Sequence, residues 1–154
     1  RLCYKYGTNI NLAKNNDTIM LVDKYYKKVV QEAHMFTGFV RFKEIAPLSF
    51  YAQIEPVYNI LPIILNHFTL RFSDQNFIIH DLKREKAIMY NKENSIITDL
   101  SKDEGYLLSN LNNDENFESL WKTFYKSVNI KERENSKLRN QHMPKRYWNH
   151  LTEI

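Results

Sequence analysis

The chain has few of the residues that build covalent cross-links and tight phosphate loops. It contains one cysteine, Cys3, three glycines and four prolines among 154 residues. A single cysteine excludes an intrachain disulfide and gives no sign of an oxidising compartment. Three scattered glycines cannot form a phosphate-cradling loop, which excludes nucleotide hydrolysis of the P-loop kind. No apolar run approaches the roughly 20 residues that span a bilayer, so we expect no membrane association and a cytoplasmic location.

The usual signatures of catalytic and metal sites are also missing from the sequence. It contains no HExxH, CxxC or GxSxG pattern, and its histidines show no paired ligand spacing: His34, His67, His80, His142 and His150. We therefore expect neither a bound metal nor an organic cofactor. The candidates for acid–base catalysis are Glu55, His67 and Asp81. Each carboxylate is equally explained as the end of a strand or as an ion-pair partner of an arginine.

Aromatic and basic residues are abundant and lie together near the C-terminus. The formal charge of +4 is uneven, because residues 91–120 carry −5 and residues 121–154 carry +5. Eight Lys or Arg between positions 122 and 150 are interleaved with rings: Trp121, Phe124, Tyr125, Tyr147 and Trp148. Cations attract phosphates and exposed rings stack on unpaired bases, so this segment favours a nucleic-acid surface. Two alternatives remain, namely that the rings belong to the core and that the acidic and basic blocks only neutralise each other.

Hydrophobic periodicity predicts helices and strands in the first ninety residues. Three- and four-residue spacing predicts a helix from Asp17 to Met35, with Tyr25 and Tyr26 among its apolar residues and Gly38 ending it. Alternation with a period of two predicts two hairpins, and a helix capped by Asn59 lies between them. The predicted strands are 39–44, 50–55, 76–81 and 86–90. The fold class is therefore α+β, a small antiparallel sheet of two hairpins joined by a helix and packed with N-terminal and C-terminal helices.

The last third of the chain is predicted to be a polar connection followed by helices. Residues 91–116 are rich in Asn and Asp, and we expect one short helix there, near Glu104–Leu111. Helices are predicted at 115–128, 137–141 and 145–151, the last opened by Pro144. The length suggests a single domain, residues 1–154. Because the chain begins at Arg1 rather than Met, we interpret it as a fragment of a longer protein.

Several separated motifs resemble those of one bacterial family. They are HMFTGFVRF (34–42), YAQIEP (51–56), LPIILNHFTLRFSDQNFIIHD (61–81), LWKTFYKSV (120–128) and MPKRYW (143–148). The family is usually labelled "probable DNA metabolism protein", domain of unknown function 4130, and the resemblance covers residue 25 onward. It implies a link to DNA, since similar domains occur fused to uracil-DNA glycosylase modules or beside a radical S-adenosylmethionine protein. It carries no established catalytic residue.

The residues that we expect to contact nucleic acid are spread over the chain. They are Arg41, on the polar face of the first strand, then Arg71, Arg84, Arg133, Lys145, Arg146 and Tyr147. Guanidinium groups bind phosphate bidentately, and the helix that begins after Pro144 would add its positive end. The alternative for Arg71 and the other arginines is a structural ion pair with Glu55, Asp74 or Asp81. For the C-terminal motif we expect buried rings with Lys145 and Arg146 outside.

Three functions fit these patterns. The first is a DNA metabolism or repair accessory domain that binds nucleic acid through basic and aromatic residues. The second is an enzyme that acts on a nucleobase or on the DNA backbone, for which a shared pocket is required. The third is a docking module for a radical S-adenosylmethionine protein or a uracil-DNA glycosylase module. The first requires Arg41, Arg84, Lys145 and Arg146 to gather on one surface once the chain is folded.

Overall fold

A computed structural model of the chain describes residues 16–110 and 136–151. The described helices are α1 (Asp17–Phe39), α2 (Leu61–Arg71), α3 (Lys102–Ser109) and α4 (Ser136–His142), followed by a 3₁₀ helix (Lys145–His150). The strands are β1 (Lys43–Ala46), β2 (Ser49–Ile54), β3 (Asn76–Asp81), β4 (Lys86–Asn91) and β5 (Ser95–Asp99). The α+β class is confirmed. The predicted helix at 115–128 lies outside the described residues.

The strands form one mixed sheet in the order β1-β2-β3-β4-β5. Both predicted hairpins are present, but β2 and β3 pair in parallel, so the expectation of a purely antiparallel sheet was wrong. Parallel neighbours require a long crossover, and α2 supplies it. The fifth strand was missed because β5 is an edge strand whose residues are mostly exposed, which removes the alternation that reveals a strand.

The main core lies between the sheet and the helices α1 and α2. Alternate strand residues such as Ala52, Ile54, Phe77 and Ile79 face Phe36 of α1 and the apolar residues of α2. Aromatic rings fill much of this layer. Phe42, for example, meets the ring of Phe72 edge-on at a centroid distance of 5.1 Å. The opposite face of the sheet carries a smaller cluster around Tyr51, Ala87 and Leu100, with Leu108 of α3 packed against it.

Several element boundaries differ from those predicted. Helix α1 runs through Gly38 to Phe39, and β1 starts only at Lys43, so Arg41 lies in the connection and not on a strand face. Asn16 caps α1 by accepting hydrogen bonds from the amides of Thr18 and Ile19. Helix α2 begins after Ile60 without a side-chain cap, and the predicted Asn59 cap is absent. None of the described helices combines the length and apolarity needed to cross a bilayer.

Candidate nucleic-acid interface

The MPKRYW motif contributes one aromatic ring to the main core. Tyr147, in the 3₁₀ helix, is 3% exposed, and its ring meets Phe36 edge-on at 4.9 Å between centroids. Phe39 packs against the same ring, and Leu151 is buried just after the 3₁₀ helix. Burial of an aromatic side chain of this size anchors the segment by hydrophobic contact and dispersion. The C-terminal end is therefore held on α1 by its own motif.

A buried carboxylate completes this anchor. The Tyr147 hydroxyl donates to Oε1 of Glu32 over 2.6 Å, and Glu32 also accepts hydrogen bonds from the amides of Val57, at 3.0 Å, and Tyr58, at 2.7 Å. Glu32 lies in α1 and is 3% exposed. These three hydrogen-bond donors offset the free-energy cost of removing its carboxylate charge from water. Burial, and then the neighbouring Glu32 carboxylate, raises the pKa of Tyr147 to about 12. The network joins α1, the loop after β2 and the 3₁₀ helix.

The two cations of the motif are exposed beside these rings. The Arg146 guanidinium lies 4.7 Å from the centroid of the Tyr147 ring and donates from Nη2 to the Tyr147 hydroxyl over 2.8 Å. Lys145 Nζ lies 5.8 Å from the centroid of the Trp148 ring, and Trp148 Nε1 donates to the Met143 carbonyl. Cation–π contacts and one hydrogen bond therefore restrict both side chains while their charges face solvent. The outward cations and the buried Tyr147 ring agree with the expected pattern, whereas the Trp148 ring is only partly buried.

The short helix itself adds little to anion binding. Residues 145–150 form a 3₁₀ helix, not the α-helix that the sequence predicted, and its N-cap Pro144 has no amide hydrogen to donate. Six residues of 3₁₀ geometry align few peptide dipoles. Any attraction for phosphate at this end must therefore come from the Lys145 and Arg146 side chains.

Arg84 and Asp81 form a structural ion pair at the turn between β3 and β4. Asp81 is fully buried; its Oδ2 accepts from Arg84 Nη1 over 2.8 Å, and its Oδ1 accepts from the Lys83 amide over 3.0 Å. The same guanidinium donates to the carbonyls of Pro56 and Val57, so it ties this turn to the loop after β2. These contacts are those of the structural alternative for Arg84, and they commit its guanidinium to Asp81 and the loop after β2 instead of to a surface shared with Arg41, Lys145 and Arg146. They also remove Asp81 from contact with any substrate in this conformation.

The other two acid–base candidates lie apart from Asp81. Glu55 is partly exposed and faces His150 of the 3₁₀ helix, with 3.4 Å between Oε2 and Nε2. His67 lies exposed on α2, its ring perpendicular to that of Phe68. Within residues 16–110 and 136–151, Glu55, His67 and Asp81 share no hydrogen bond or ion pair. The geometry therefore gives no support to a joint catalytic role for these side chains.

Arg41, Arg71 and Arg133 complete the set of predicted contact residues. Arg41 Nη1 donates to the Gly38 carbonyl at the end of α1, two residues past the Phe39 ring that touches Tyr147. Arg71 ends α2, beside the start of β3, and its guanidinium lies 5.8 Å from the Phe72 ring centroid. It thus lies at the end of the sheet away from the MPKRYW motif. Arg133 lies outside the described residues.

A second buried polar cluster lies under α3, on the opposite face of the sheet. The hydroxyl of Tyr51 and Nδ1 of His80 are 2.8 Å apart, and Nε2 of His80 is 2.9 Å from the Leu100 carbonyl oxygen. Burial lowers the pKa of His80, which favours the neutral imidazole, and burial raises the pKa of Tyr51. Gly105 of α3 packs so closely here that an added Cβ would lie 2.4 Å from His80 Nδ1. The cluster holds α3 against the sheet.

Glu32 is not among the residues predicted from the sequence, although the sequence holds a signal for it. Glu32 occupies the helix face shared by Val29, Ala33 and Phe36, where a carboxylate is unexpected unless donors meet it. In the described part of the chain, no three His, Cys, Asp or Glu side chains converge on a position where a metal ion could bind.

Comparison with curated proteins and with solved structures gives no significant match. A family model described as a domain of unknown function (DUF4130) matches residues 1–153. This match extends over nearly the whole chain and includes the motifs that meet around Glu32 and Tyr147. The chain therefore belongs to the DUF4130 family.

Proposed function

We propose that this domain binds nucleic acid, DNA in the first place, through the surface formed by Lys145, Arg146 and the partly exposed ring of Trp148. The observation that carries the proposal is the restrained pair of cations: both charges are exposed while the ring beneath Arg146 is fixed in the core. Neither cation forms an ion pair with a carboxylate of the described residues. Pre-positioned, unpaired cations can neutralise phosphates without first losing a protein partner.

The proposal places the domain in DNA metabolism or repair as an accessory module in the cytoplasm of a bacterium. The resemblance described above supports this role through the uracil-DNA glycosylase fusions and the neighbouring radical S-adenosylmethionine proteins of similar domains. We propose those two kinds of protein as functional partners. The buried ion pair of Asp81 argues against the alternative in which the domain itself acts on a nucleobase.

The first prediction concerns the two exposed cations. Lys145→Gln combined with Arg146→Gln should weaken binding to DNA by roughly tenfold, and equally for unrelated sequences, because phosphate contacts carry no sequence information. The slope of log affinity against log salt concentration should fall by about 2. Glutamine keeps a hydrogen-bond donor near the Tyr147 hydroxyl, so the core anchor is preserved. Fluorescence anisotropy with labelled oligonucleotides at several salt concentrations measures both quantities.

A matched control removes the same charge elsewhere. Lys92→Gln with Lys102→Gln replaces two exposed lysines in the acidic part of the chain and also lowers the net charge by two. We expect this variant to retain wild-type affinity and salt slope. An unchanged affinity in the 145/146 variant, or an equal loss in both variants, contradicts the proposed interface.

A protein-docking role is the second candidate. Tyr106 and Leu107 of α3 are both about two-thirds exposed, and such adjacent rings and aliphatic groups occur at protein interfaces. A partner protein captured equally by wild type and by the 145/146 variant, and retained after nuclease treatment, supports this role. Capture that disappears with nuclease supports nucleic-acid binding instead.

A further inference from the structure

Large side chains in the first half of α1 lie in solvent, although Ile19 in its first turn is buried. Every residue from Met20 to Lys28 is exposed, whereas the second half of the helix buries Glu32, Ala33 and Phe36. Tyr25 and Tyr26, which the spacing places among the apolar residues of the helix, are 53% and 65% exposed. Periodicity shows that residues share a face but not that a second element covers that face.

Cations surround these two rings. The hexapeptide 23–28 reads DKYYKK, three lysines and one aspartate, with a local charge of +2. Lys28 Nζ lies 5.7 Å from the Tyr25 ring centroid, and Lys27 pairs with Asp23 over 2.8 Å. Successive helix residues are rotated by about 100°, so the rings point in different directions and each can accept one planar partner. Lys24 and Lys28, four residues apart, lie on the same side of the helix.

The residue types on this surface indicate which class of ligand binds there. Lysine is depleted from protein–protein interfaces, whereas here three lysines lie within five residues of one another around the exposed rings. An exposed ring beside an ammonium group matches a nucleotide, since the base stacks on the ring and its phosphate meets the cation. The bases of a duplex are already stacked on their neighbours. The surface therefore fits an unpaired strand better than a duplex.

We propose that Tyr25, Tyr26 and the lysines 24, 27 and 28 form a binding site for single-stranded nucleic acid. This inference rests on the proposed function, from which it takes nucleic acid as the class of ligand. It adds a second binding surface and a preference for single strands. The two tyrosines stack on successive or nearby bases, and the lysines contact the intervening phosphates. Lys145 and Arg146 then bind backbone in either single- or double-stranded form, while α1 adds affinity only for the unpaired strand.

The test compares substitutions that keep or remove the ring in the full chain. Tyr25→Leu with Tyr26→Leu keeps apolar side chains on the helix and should weaken binding to oligodeoxythymidine about tenfold or more. Affinity for the same strand annealed to its complement should stay within about twofold. Tyr25→Phe with Tyr26→Phe keeps both rings and should bind as wild type. The Leu variant should retain the wild-type salt slope, because it removes no charge.

Crosslinking locates the contact independently. Irradiation of the wild-type protein with a 5-iodouracil oligonucleotide, followed by peptide mass spectrometry, should attach the label to Tyr25 or Tyr26. Unchanged single-strand affinity in the Leu variant overturns the α1 site, even if the 145/146 variant has lost binding. Wild-type dimerisation that the Leu variant abolishes also overturns it and assigns the face to a second copy. Single-strand binding lost only in the Leu variant supports the α1 site and overturns the Lys145–Arg146 interface.

Discussion

Tyr147 shows how one side chain can serve both the core and the surface. Its ring is buried against Phe36, its hydroxyl binds Glu32, and its exposed neighbour Arg146 lies against the same ring. The hydroxyl is thus a donor to a carboxylate and an acceptor from a guanidinium. Burial raises the pKa of Tyr147, and the Glu32 carboxylate 2.6 Å away raises it further, because deprotonation would place two negative charges side by side.

This raised pKa predicts a dependence of stability on alkaline pH. The folded-state pKa of Tyr147 is about 12, and its ordinary value is 10.0. The unfolded chain loses this proton first, so the stabilisation is complete below pH 10 and declines as the pH rises towards about 12. Tyr147→Phe should lower the free energy of unfolding by about 1–2 kcal/mol near pH 8, through the hydrogen bond it removes. The difference from wild type should shrink as the pH approaches 12.

Urea unfolding at several pH values measures these differences. Tyr106→Phe provides the control, because Tyr106 is 68% exposed in α3. Its stability should follow the wild-type curve at each pH. If the free energies of unfolding of Tyr147→Phe and wild type differ by the same amount from pH 8 to pH 12, the Tyr147 proton is not linked to folding.

At the scale of elements, two helical glycines occupy opposite environments. Gly38 lies near the end of α1, and a Cβ added there would have no neighbouring heavy atom within 4 Å. Gly105 lies in α3, where an added Cβ would lie 2.4 Å from His80 Nδ1 and 2.6 Å from the Tyr51 hydroxyl oxygen. Both partners are buried, so neither can move aside easily. The glycine at 105 is therefore required for close contact between α3 and the sheet.

The two glycines predict opposite effects of the same substitution. Gly38→Ala should raise the free energy of unfolding by up to about 1 kcal/mol, because alanine loses less backbone entropy in a helix. Gly105→Ala gains the same helix propensity, but the added methyl group must displace α3 or His80. This substitution should therefore lower the free energy of unfolding by about 1–3 kcal/mol overall. Thermal and urea unfolding of both variants provide the measurement. Stabilisation by Gly105→Ala would be incompatible with the close packing of α3.

At the scale of the whole molecule, distant segments meet around the loop after β2. Glu32 binds the amides of residues 57 and 58, Arg84 binds the carbonyls of residues 56 and 57, and His150 faces Glu55. The helix α1, the β3–β4 turn and the C-terminal end are thereby held to one four-residue stretch. The IEP motif supplies Glu55 and Pro56 to these contacts, and Tyr147 of MPKRYW binds the same Glu32 carboxylate.

This arrangement predicts that the C-terminal motif is needed for folding as well as binding. A chain that ends at Pro144 loses the buried side chains of Tyr147 and Leu151 and removes one donor from Glu32. Its free energy of unfolding should fall by more than about 3 kcal/mol. A chain that ends at Leu151 keeps these contacts and serves as the control. Equal midpoints of urea unfolding for the two truncated chains would contradict a core role for the motif.

The sequence alone determined the fold class and most element positions, because these depend on local pattern. Both hairpins, α2 and the short helix near residue 104 follow from periodicity and turn residues. The outward placement of Lys145 and Arg146 was expected from two cations that stand directly before two aromatic residues. Parallel pairing of β2 and β3 was within reach too, since a helix between two strands is the usual parallel crossover.

Only the tertiary structure decided which of these residues meet. Periodicity could not show that Tyr25 and Tyr26 remain uncovered while Phe36 of the same helix is buried, because cover is supplied by residues remote in sequence. It could not pair Glu32 with Tyr147, which are 115 positions apart. It also left Arg84 undecided between phosphate and Asp81 until the β3–β4 turn brought the two side chains to 2.8 Å. Local sequence sets backbone preference, whereas burial and charge pairing arise from long-range contacts made on folding.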